Sequence, residues 1–234
     1  MTLTLYDLPT RGRRACWAFN PWRTRMLLQY KSIDFKTEWL EYPDIAPTLQ
    51  SFGLPPSHGG VAPYTVPTIR LPSGVYIMDS YKIALEVEKL YPSPSSYLDT
   101  DIVHRLNDLV TQIVTALSPV HIPRIPHLLS DESCRYFVET REKRFGPLEK
   151  LGEKAGKQMW DAAHVQLDEA AKLLAECNGP FFLGDKVSYA DFVFVSFLQF
   201  AKVVSQDLFE SITRRHTSFA DLYHACDKWL AQDY

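Results

Sequence analysis

Tyr64-Thr65-Val66-Pro67-Thr68-Ile69-Arg70-Leu71-Pro72-Ser73-Gly74-Val75-Tyr76-Ile77-Met78-Asp79-Ser80 is the stretch that decides the fold. Thr65 to Leu71 reads as a strand interrupted near its start by Pro67. A proline there has no N–H to give a ladder, and it restricts the residue before it to extended geometry. Pro72-Ser73-Gly74 is a tight turn, and Val75 to Met78 is the returning strand, so the pair is a hairpin. Asp79-Ser80 then opens a helix from Tyr81 to Leu90, stopped by Pro92.

Upstream, Thr4 to Asp7 reads as a first strand, followed by a polar loop with Gly12 and Arg11, Arg13 and Arg14. These arginines read as solvated charges rather than a phosphate site. Pro21 suits the first turn of a helix, where its missing N–H costs nothing. That helix runs through Trp22, Met26, Leu27 and Tyr30, spaced for one buried face. Phe35 to Tyr42 alternates as a second strand. Pro43-Asp44 starts a short helix towards Gln50, and a loop rich in glycine and proline leads back to Tyr64. The order β-α-β-α-β-β-α needs a parallel pair with a right-handed crossover plus an antiparallel hairpin. That is the thioredoxin-like order.

Downstream, Pro92-Ser93-Pro94-Ser95-Ser96 is a linker by composition. The expected organisation is a domain at 1–91, a linker at 92–100 and an all-helical domain at 101–234, an α+β fold overall. Ile102, Leu106, Leu109, Ile113 and Leu117 form one helical stripe, ended by Pro119, Pro123 and Pro126. Trp160, Ala163, Leu167, Ala170 and Leu174 form another. Ser188-Tyr189-Ala190-Asp191 is a capping box with Asp in place of Glu. Its helix is apolar nearly all round and belongs at the domain centre. Phe219, Leu222, Tyr223, Cys226, Trp229 and Leu230 form the last stripe.

The chain has 234 residues, 46% hydrophobic and 23% charged, with a formal net charge of -3. This balance points to a globular protein and to no nucleic-acid partner. No run approaches the ~20 apolar residues of a membrane span, and the N-terminus lacks the pattern of a signal peptide. Cys16, Cys134, Cys177 and Cys226 are scattered without a C-x-x-C pair, and the histidines show no ligand spacing. The expectations are therefore no metal, no membrane partner and a cytoplasmic location.

The hairpin and the helix after it can do chemistry together. With a cis bond at Pro67, Val66 offers both its N–H and its C=O to a ligand backbone. A helix N-terminus at Asp79-Ser80 presents free N–H groups and a positive dipole end to a carboxylate, while Asp79 holds an amino group. A small peptide with both charges at one end fits. Asp79 and Ser80 also read simply as a helix cap.

Tyr64-Thr65-Val66-Pro67-Thr68-Ile69, the Asp79-Ser80 step, and Leu183-Gly184-Asp185-Lys186-Val187-Ser188-Tyr189-Ala190-Asp191-Phe192 together resemble a glutathione transferase over nearly the whole chain. Trp22-Arg23-Thr24-Arg25 and Glu41-Tyr42-Pro43-Asp44 are similar to fungal members of the Fua class, relatives of bacterial β-etherases. The resemblance implies that Val66, before a cis Pro67, pairs with the cysteinyl backbone of glutathione. It implies that Asp79 and Ser80 hold the γ-glutamyl end, and that His58 reaches the glycyl carboxylate. It also implies a role in detoxification, a homodimer, and glutathione and hydrophobic aromatic small molecules as partners.

The catalytic slot departs from the family. In serine- and cysteine-type members the activating side chain stands five residues before a basic residue of the first helix. Counting back from Arg23 gives Ala18, which has no hydrogen bond to give a thiolate. Asn20 has an amide donor near the helix N-terminus, and Cys16 has a thiol. Asn20 is the expected activator, with Ala18 contributing its backbone N–H and Cys16 packed away. Asn20 also reads as an N-cap. Trp22 and Tyr64 read as walls of an aromatic pocket or as core. His121, Arg124 and His127 read as acceptor-pocket residues or as surface. The expected activity is conjugation or removal of glutathione on aromatic electrophiles. The rival is a ligandin that sequesters aromatic molecules with little turnover.

Overall fold

The computed structural model describes residues 2–58 and 62–234. Its first half carries β1 (Leu3–Asp7), α1 (Phe19–Tyr30), β2 (Phe35–Trp39), α2 (Tyr42–Ser51), β3 (Thr68–Arg70), β4 (Tyr76–Met78) and α3 (Ser80–Leu90). The sheet order is β2-β1-β3-β4, with β1 parallel to β2 and the other two pairs antiparallel. This is the thioredoxin-like arrangement that the order of elements predicts.

The second half is helical: α4 (Asp101–Ala116), α5 (Ser118–His121), a 3₁₀ segment (Ile122–Leu128), α6 (Asp131–Phe145), α7 (Leu148–Gly152), α8 (Lys157–Ala175), α9 (Tyr189–Val204), α10 (Gln206–Arg215) and α11 (Ser218–Ala225), then a 3₁₀ turn (Asp227–Trp229). α9 is buried on nearly every face, as its composition requires, with Lys202 near its end exposed. Its capping box forms: Asp191 accepts from the Ser188 N–H at 2.7 Å, the Ser188 hydroxyl at 2.9 Å and the Phe182 N–H at 2.9 Å. No helix among the described residues is long and apolar enough to cross a membrane.

The two halves are joined by polar staples around α1. The Lys31 ammonium donates to the carbonyls of Tyr91 (2.7 Å) and Pro94 (2.6 Å) and pairs with Glu88 at 2.7 Å. The Tyr30 hydroxyl donates to Ser95 C=O at 3.0 Å, and the Tyr189 N–H to Ser96 C=O at 2.8 Å. The stretch between α3 and α4 is thus irregular in backbone but fixed by named bonds. Aromatic contacts of Tyr30 with Phe192, and of Phe19 with Phe200, seat α1 directly on α9.

Three sequence expectations shift. β2 ends at Trp39 rather than Tyr42, because Pro43 in the first turn draws Tyr42 into α2. β3 begins at Thr68 rather than Thr65, because Pro67 has no N–H to give a partner strand. The proline-rich stretch after α4 continues as α5 and 3₁₀ turns.

Candidate functional site

The Val66–Pro67 peptide bond is cis. Among the described residues neither the N–H nor the C=O of Val66 has a hydrogen-bond partner, so both poles of that peptide edge are open. The Pro67 carbonyl accepts from the Asp79 N–H at 3.3 Å. That bond, with the pairing of Thr68 and Met78, places the Asp79-Ser80 step beside Val66. Four residues separated by a hairpin in sequence therefore form one edge in space.

Asp79 has φ 91° and ψ 126°, a conformation that L-residues rarely adopt and that costs on the order of 1–3 kcal/mol. Its Oδ1 accepts the N–H groups of Tyr81 (2.9 Å) and Lys82 (3.0 Å), so the capping reading of this residue is correct. Capping leaves a remainder with chemical use. Asp79 is exposed and its Oδ2 takes no bond. The Ser80 N–H and hydroxyl also lack partners among the described residues. An ammonium beside Oδ2 and a carboxylate at Ser80 meet complementary groups at the positive end of α3.

The second component is the N-terminus of α1. Ala18 is the N-cap, with no side-chain hydrogen bond to the helix. Asn20 is not the cap; it lies in the first turn, partly exposed, and its amide makes no hydrogen bond among the described residues. The first bond closing the helix runs from the Trp22 N–H to Ala18 C=O at 3.2 Å. The N–H groups of Ala18, Phe19 and Asn20 have no protein partner among the described residues, and Pro21 has no N–H. Three backbone donors and one amide thus gather where a thiolate would gain from them.

Cys16 turns the other way. It is buried, its N–H donates to Asp233 C=O at 2.7 Å, and its thiol lies against Ala18 C=O at 3.8 Å. Burial, and next the nearby Asp7 carboxylate, push its pKa well above the ordinary thiol value.

Trp22 is corrected from a pocket wall to core: it is 0% exposed, on the buried face of α1. Tyr64 is half-buried beside Thr65, and His58 is exposed at the edge of the loop closed by the Ser57 N–H to Pro63 C=O bond of 2.7 Å. His121, Arg124 and His127 do not act as a cluster. Arg124 and His127 are exposed, whereas His121 is buried. Its Nε2 lies 2.9 Å from Val114 C=O, which fixes the proton on that nitrogen, and burial lowers its pKa to about 4. Its ring packs edge-on against Phe200, which also meets Trp17 and Phe19. An aromatic wall therefore flanks the start of α1.

The sequence reading missed how the first loop is held. The Arg11 N–H donates to Leu128 C=O at 2.7 Å and its Nε to Leu129 C=O at 2.7 Å. Glu41 accepts from the hydroxyls of Ser130 and Ser133. The thioredoxin-like half is thereby clasped at two points to residues 128–133 of the helical half. No local pattern announces bonds between residues so far apart.

Comparison with known families matches the glutathione S-transferase N-terminal domain at residues 19–90 and the glutathione S-transferase C-terminal domain at residues 106–229. The chain belongs to the glutathione S-transferase family. It is 31% identical over 239 residues to the glutathione S-transferase-like protein ustS of Aspergillus flavus, covering 94% of this chain and 87% of that protein. Among solved structures it is similar to the glutathione S-transferase CsGST63524 of Ceriporiopsis subvermispora, in complex with glutathione, at 31% identity, TM-score 0.88 and 99% coverage of both chains. It is also similar to glutathione transferase GSTFuA3 of Phanerochaete chrysosporium, at 25% identity, TM-score 0.87, and coverage of 100% of this chain and 99% of that one. The resemblance to fungal members of this family, read from the motifs, is borne out.

Proposed function

We propose that this family member binds glutathione along the Val66 edge, with its γ-glutamyl end at Asp79-Ser80 and its sulfur at the N-terminus of α1. The observation that carries the reading is the Asp79 N–H to Pro67 C=O bond, which brings the open Val66 peptide and the α3 N-terminus together. The similar Ceriporiopsis enzyme is described with glutathione bound, which supports the same ligand here. The chemistry is attack of the thiolate on a hydrophobic, aromatic electrophile, or the reverse removal of glutathione from such an adduct. The protein lowers the thiol pKa and orients the sulfur, and the electrophile supplies the leaving group. Phe19, partly exposed at the start of α1 and backed by the buried Phe200, is the aromatic face against which an aromatic acceptor would rest. We further read the functional unit as a cytoplasmic homodimer.

A second reading rests on Ala18. With no side chain at the cap to hold a thiolate, the protein would act as a ligandin that stores aromatic molecules. Calorimetry with glutathione and with aromatic ligands, beside a turnover assay on a chloronitrobenzene, decides between the readings. Glutathione binding with turnover supports the enzyme. Aromatic binding without turnover supports the ligandin, and no glutathione binding at millimolar concentration overturns the first reading.

A further inference from the structure

The loop between β1 and α1 leads straight into the Ala18 cap. Whatever fixes this loop also fixes the open N–H groups of Ala18, Phe19 and Asn20. Its own bonds close a small turn. The Thr10 N–H donates to Ala15 C=O at 3.0 Å and the Ala15 N–H to the Thr10 hydroxyl at 3.0 Å, while Pro9 faces Cys16 in an antiparallel bridge. At the tip Arg14 has φ 58°, which costs energy at a residue other than glycine. The entry arm is held from outside by the Arg11 bonds to Leu128 and Leu129. The exit arm, which reaches Ala18, is held differently. Among the described residues, the backbone bond that ties it to a distant part of the chain runs from the Cys16 N–H to Asp233 C=O at 2.7 Å.

Asp233 is itself well anchored. Its carboxylate pairs with the exposed Arg13 side chain of the same loop. On either side of it, Arg25 Nη1 donates to Gln232 C=O at 3.4 Å and to Tyr234 C=O at 3.0 Å, and the Thr37 hydroxyl of β2 donates to Tyr234 C=O at 3.1 Å. One turn further along α1, Gln29 Nε2 donates to Trp229 C=O at 2.9 Å. Arg25 is buried and held by Asp7 at 2.8 Å, so this anchor is fixed in turn. Three consecutive carbonyls, of Gln232, Asp233 and Tyr234, therefore take donors from α1, β2 and the first loop. The segment is irregular in backbone, yet it transmits the position of α1 and β2 to the loop.

We propose that residues 232–234 are a positioning strap for the first loop, and that Asp233 is the positioning residue that sets the start of α1 for the glutathione sulfur. The inference rests on the glutathione reading above and extends it to the far end of the sequence. Asp233 acts through Cys16, whose backbone stands two residues before the Ala18 cap. Donors stabilise a thiolate best when they are held in place before the sulfur arrives. A displacement of about 1 Å is enough to cost on the order of 10²-fold in rate. A segment held by a few partly exposed bonds can open locally without global unfolding. Opening of the strap therefore weakens thiolate stabilisation, while the Val66 edge and the Asp79-Ser80 step, on other elements, keep their hold on the peptide.

The test compares the wild type with three variants: a chain ending at Leu230; Asp233→Arg, which sets like charges together at Arg13; and Asp233→Arg with Arg13→Asp, which restores an attractive pair. Folding of each is checked by circular dichroism. Calorimetry gives glutathione affinity, thiolate absorbance against pH gives the bound thiol's pKa, and turnover is read on a chloronitrobenzene. Trypsin cleavage after Arg13 and Arg14, both exposed, reports opening of the loop. The shortened chain is expected to bind glutathione within about three-fold of wild type, to raise the bound thiol's pKa by about half a unit and to lose turnover about five-fold. Its loop should be cut about ten-fold faster. Asp233→Arg should shift every readout in the same direction, and it changes a partly exposed side chain, so it serves even if the shortened chain does not fold. An added cation would by itself lower a thiol pKa, so a raised one reports displacement. The double variant should return to within about two-fold of wild type in turnover and cleavage. An unchanged or lowered thiol pKa in Asp233→Arg, or a double variant no better than Asp233→Arg, overturns the proposal while leaving glutathione binding intact. Absence of glutathione binding by the wild type overturns the underlying reading instead; the trypsin comparison then still decides whether the strap holds the loop, and equal cleavage of all folded variants says that it does not.

Discussion

Arg25 and Asp7 form an ion pair in which both side chains are 0% exposed, Nε to Oδ2 at 2.8 Å. The pair lies beneath the first loop and ties it to the end of the described chain. Arg25 Nη1 donates to Tyr234 C=O at 3.0 Å and Nη2 to the Thr37 hydroxyl at 2.9 Å, while the Leu8 N–H donates to Asp7 at 2.6 Å. The loop that carries Cys16 and the Ala18 cap is therefore built on a satisfied buried charge pair, not on apolar packing alone.

Removing one partner leaves the other buried and alone. Arg25→Met is expected to lower stability by about 3–5 kcal/mol. The double variant Asp7→Leu with Arg25→Met should be less damaging than Arg25→Met, because no orphan charge remains. Urea unfolding of the three proteins checks this; a double variant weaker than the single one refutes the account.

Much of this molecule is legible in its sequence, and the gaps have physical causes. The strand order and α9 follow from period and punctuation, which are local. The helix α6 gave no apolar stripe, because within it only Ser133 and Phe137 are buried. Trp22 reads from the sequence both as core and as pocket wall, because an aromatic near a helix start suits either, and only the fold decides for core. Nothing local in Trp22-Arg23-Thr24-Arg25 marks its two arginines as buried, and only the fold shows that both are inside. The Ala18 cap has no side-chain signature at all. The partners of Cys16 and Arg25 at Asp233 and Tyr234 lie at the other end of the chain, where no spacing rule connects them.

Asp191 gives a pH signature with a definite sign. Burial raises its pKa from 3.8 to about 6, against the bonds from Phe182 and Ser188 that favour the anion. A folded-state pKa above the unfolded one means that the folded state binds the proton more tightly. The stabilisation is complete below pH 4 and is lost as pH rises through 6, by up to about 3 kcal/mol. Asp191→Asn cannot titrate, so its deficit relative to wild type should shrink between pH 4 and pH 7. A deficit that grows over that range, measured by denaturant titration, would show the carboxylate to be favoured as an anion.

The thiols should sort by burial. Cys177 is exposed and Cys134 half-buried, whereas Cys16 and Cys226 are buried with pKa values raised by that burial. A disulfide reagent should modify Cys177 first in the native protein, and Cys16 and Cys226 only on unfolding. Cys16→Ser should leave turnover within about two-fold, since its thiol faces Ala18 C=O and the Asp7–Arg25 pair. A glutathione mixed disulfide at Cys16, found by mass spectrometry, would instead place the protein among thioltransferases that reduce adducts.

In the proposed glutathione site, thiol activation would fall to Asn20 and the backbone N–H groups of α1. The α1 dipole is worth about 0.3–1 kcal/mol to an exposed anion, which shifts a thiol by less than one pKa unit. A hydrogen bond to a charged group adds about 1.5–3 kcal/mol, or one to two units more. In the first turn of α1 the N–H groups of Phe19 and Asn20 are open, Pro21 has none, and the Asn20 amide is the partly exposed side-chain donor, the Trp22 indole N–H being sealed in the core. Asn20→Ala is therefore expected to raise the pKa of bound glutathione by about one unit and to cut turnover at neutral pH about ten-fold. Asn20→Asp should be worse, because a carboxylate repels a thiolate where the amide attracts it. Ala18→Ser should act in the opposite direction, adding a hydroxyl at the cap beside the sulfur and lowering that pKa. Thiolate absorbance of the glutathione complex followed against pH measures all three. If Asn20→Ala leaves the pKa where it was while Ala18→Ser still lowers it, the backbone N–H groups of α1 alone carry the activation.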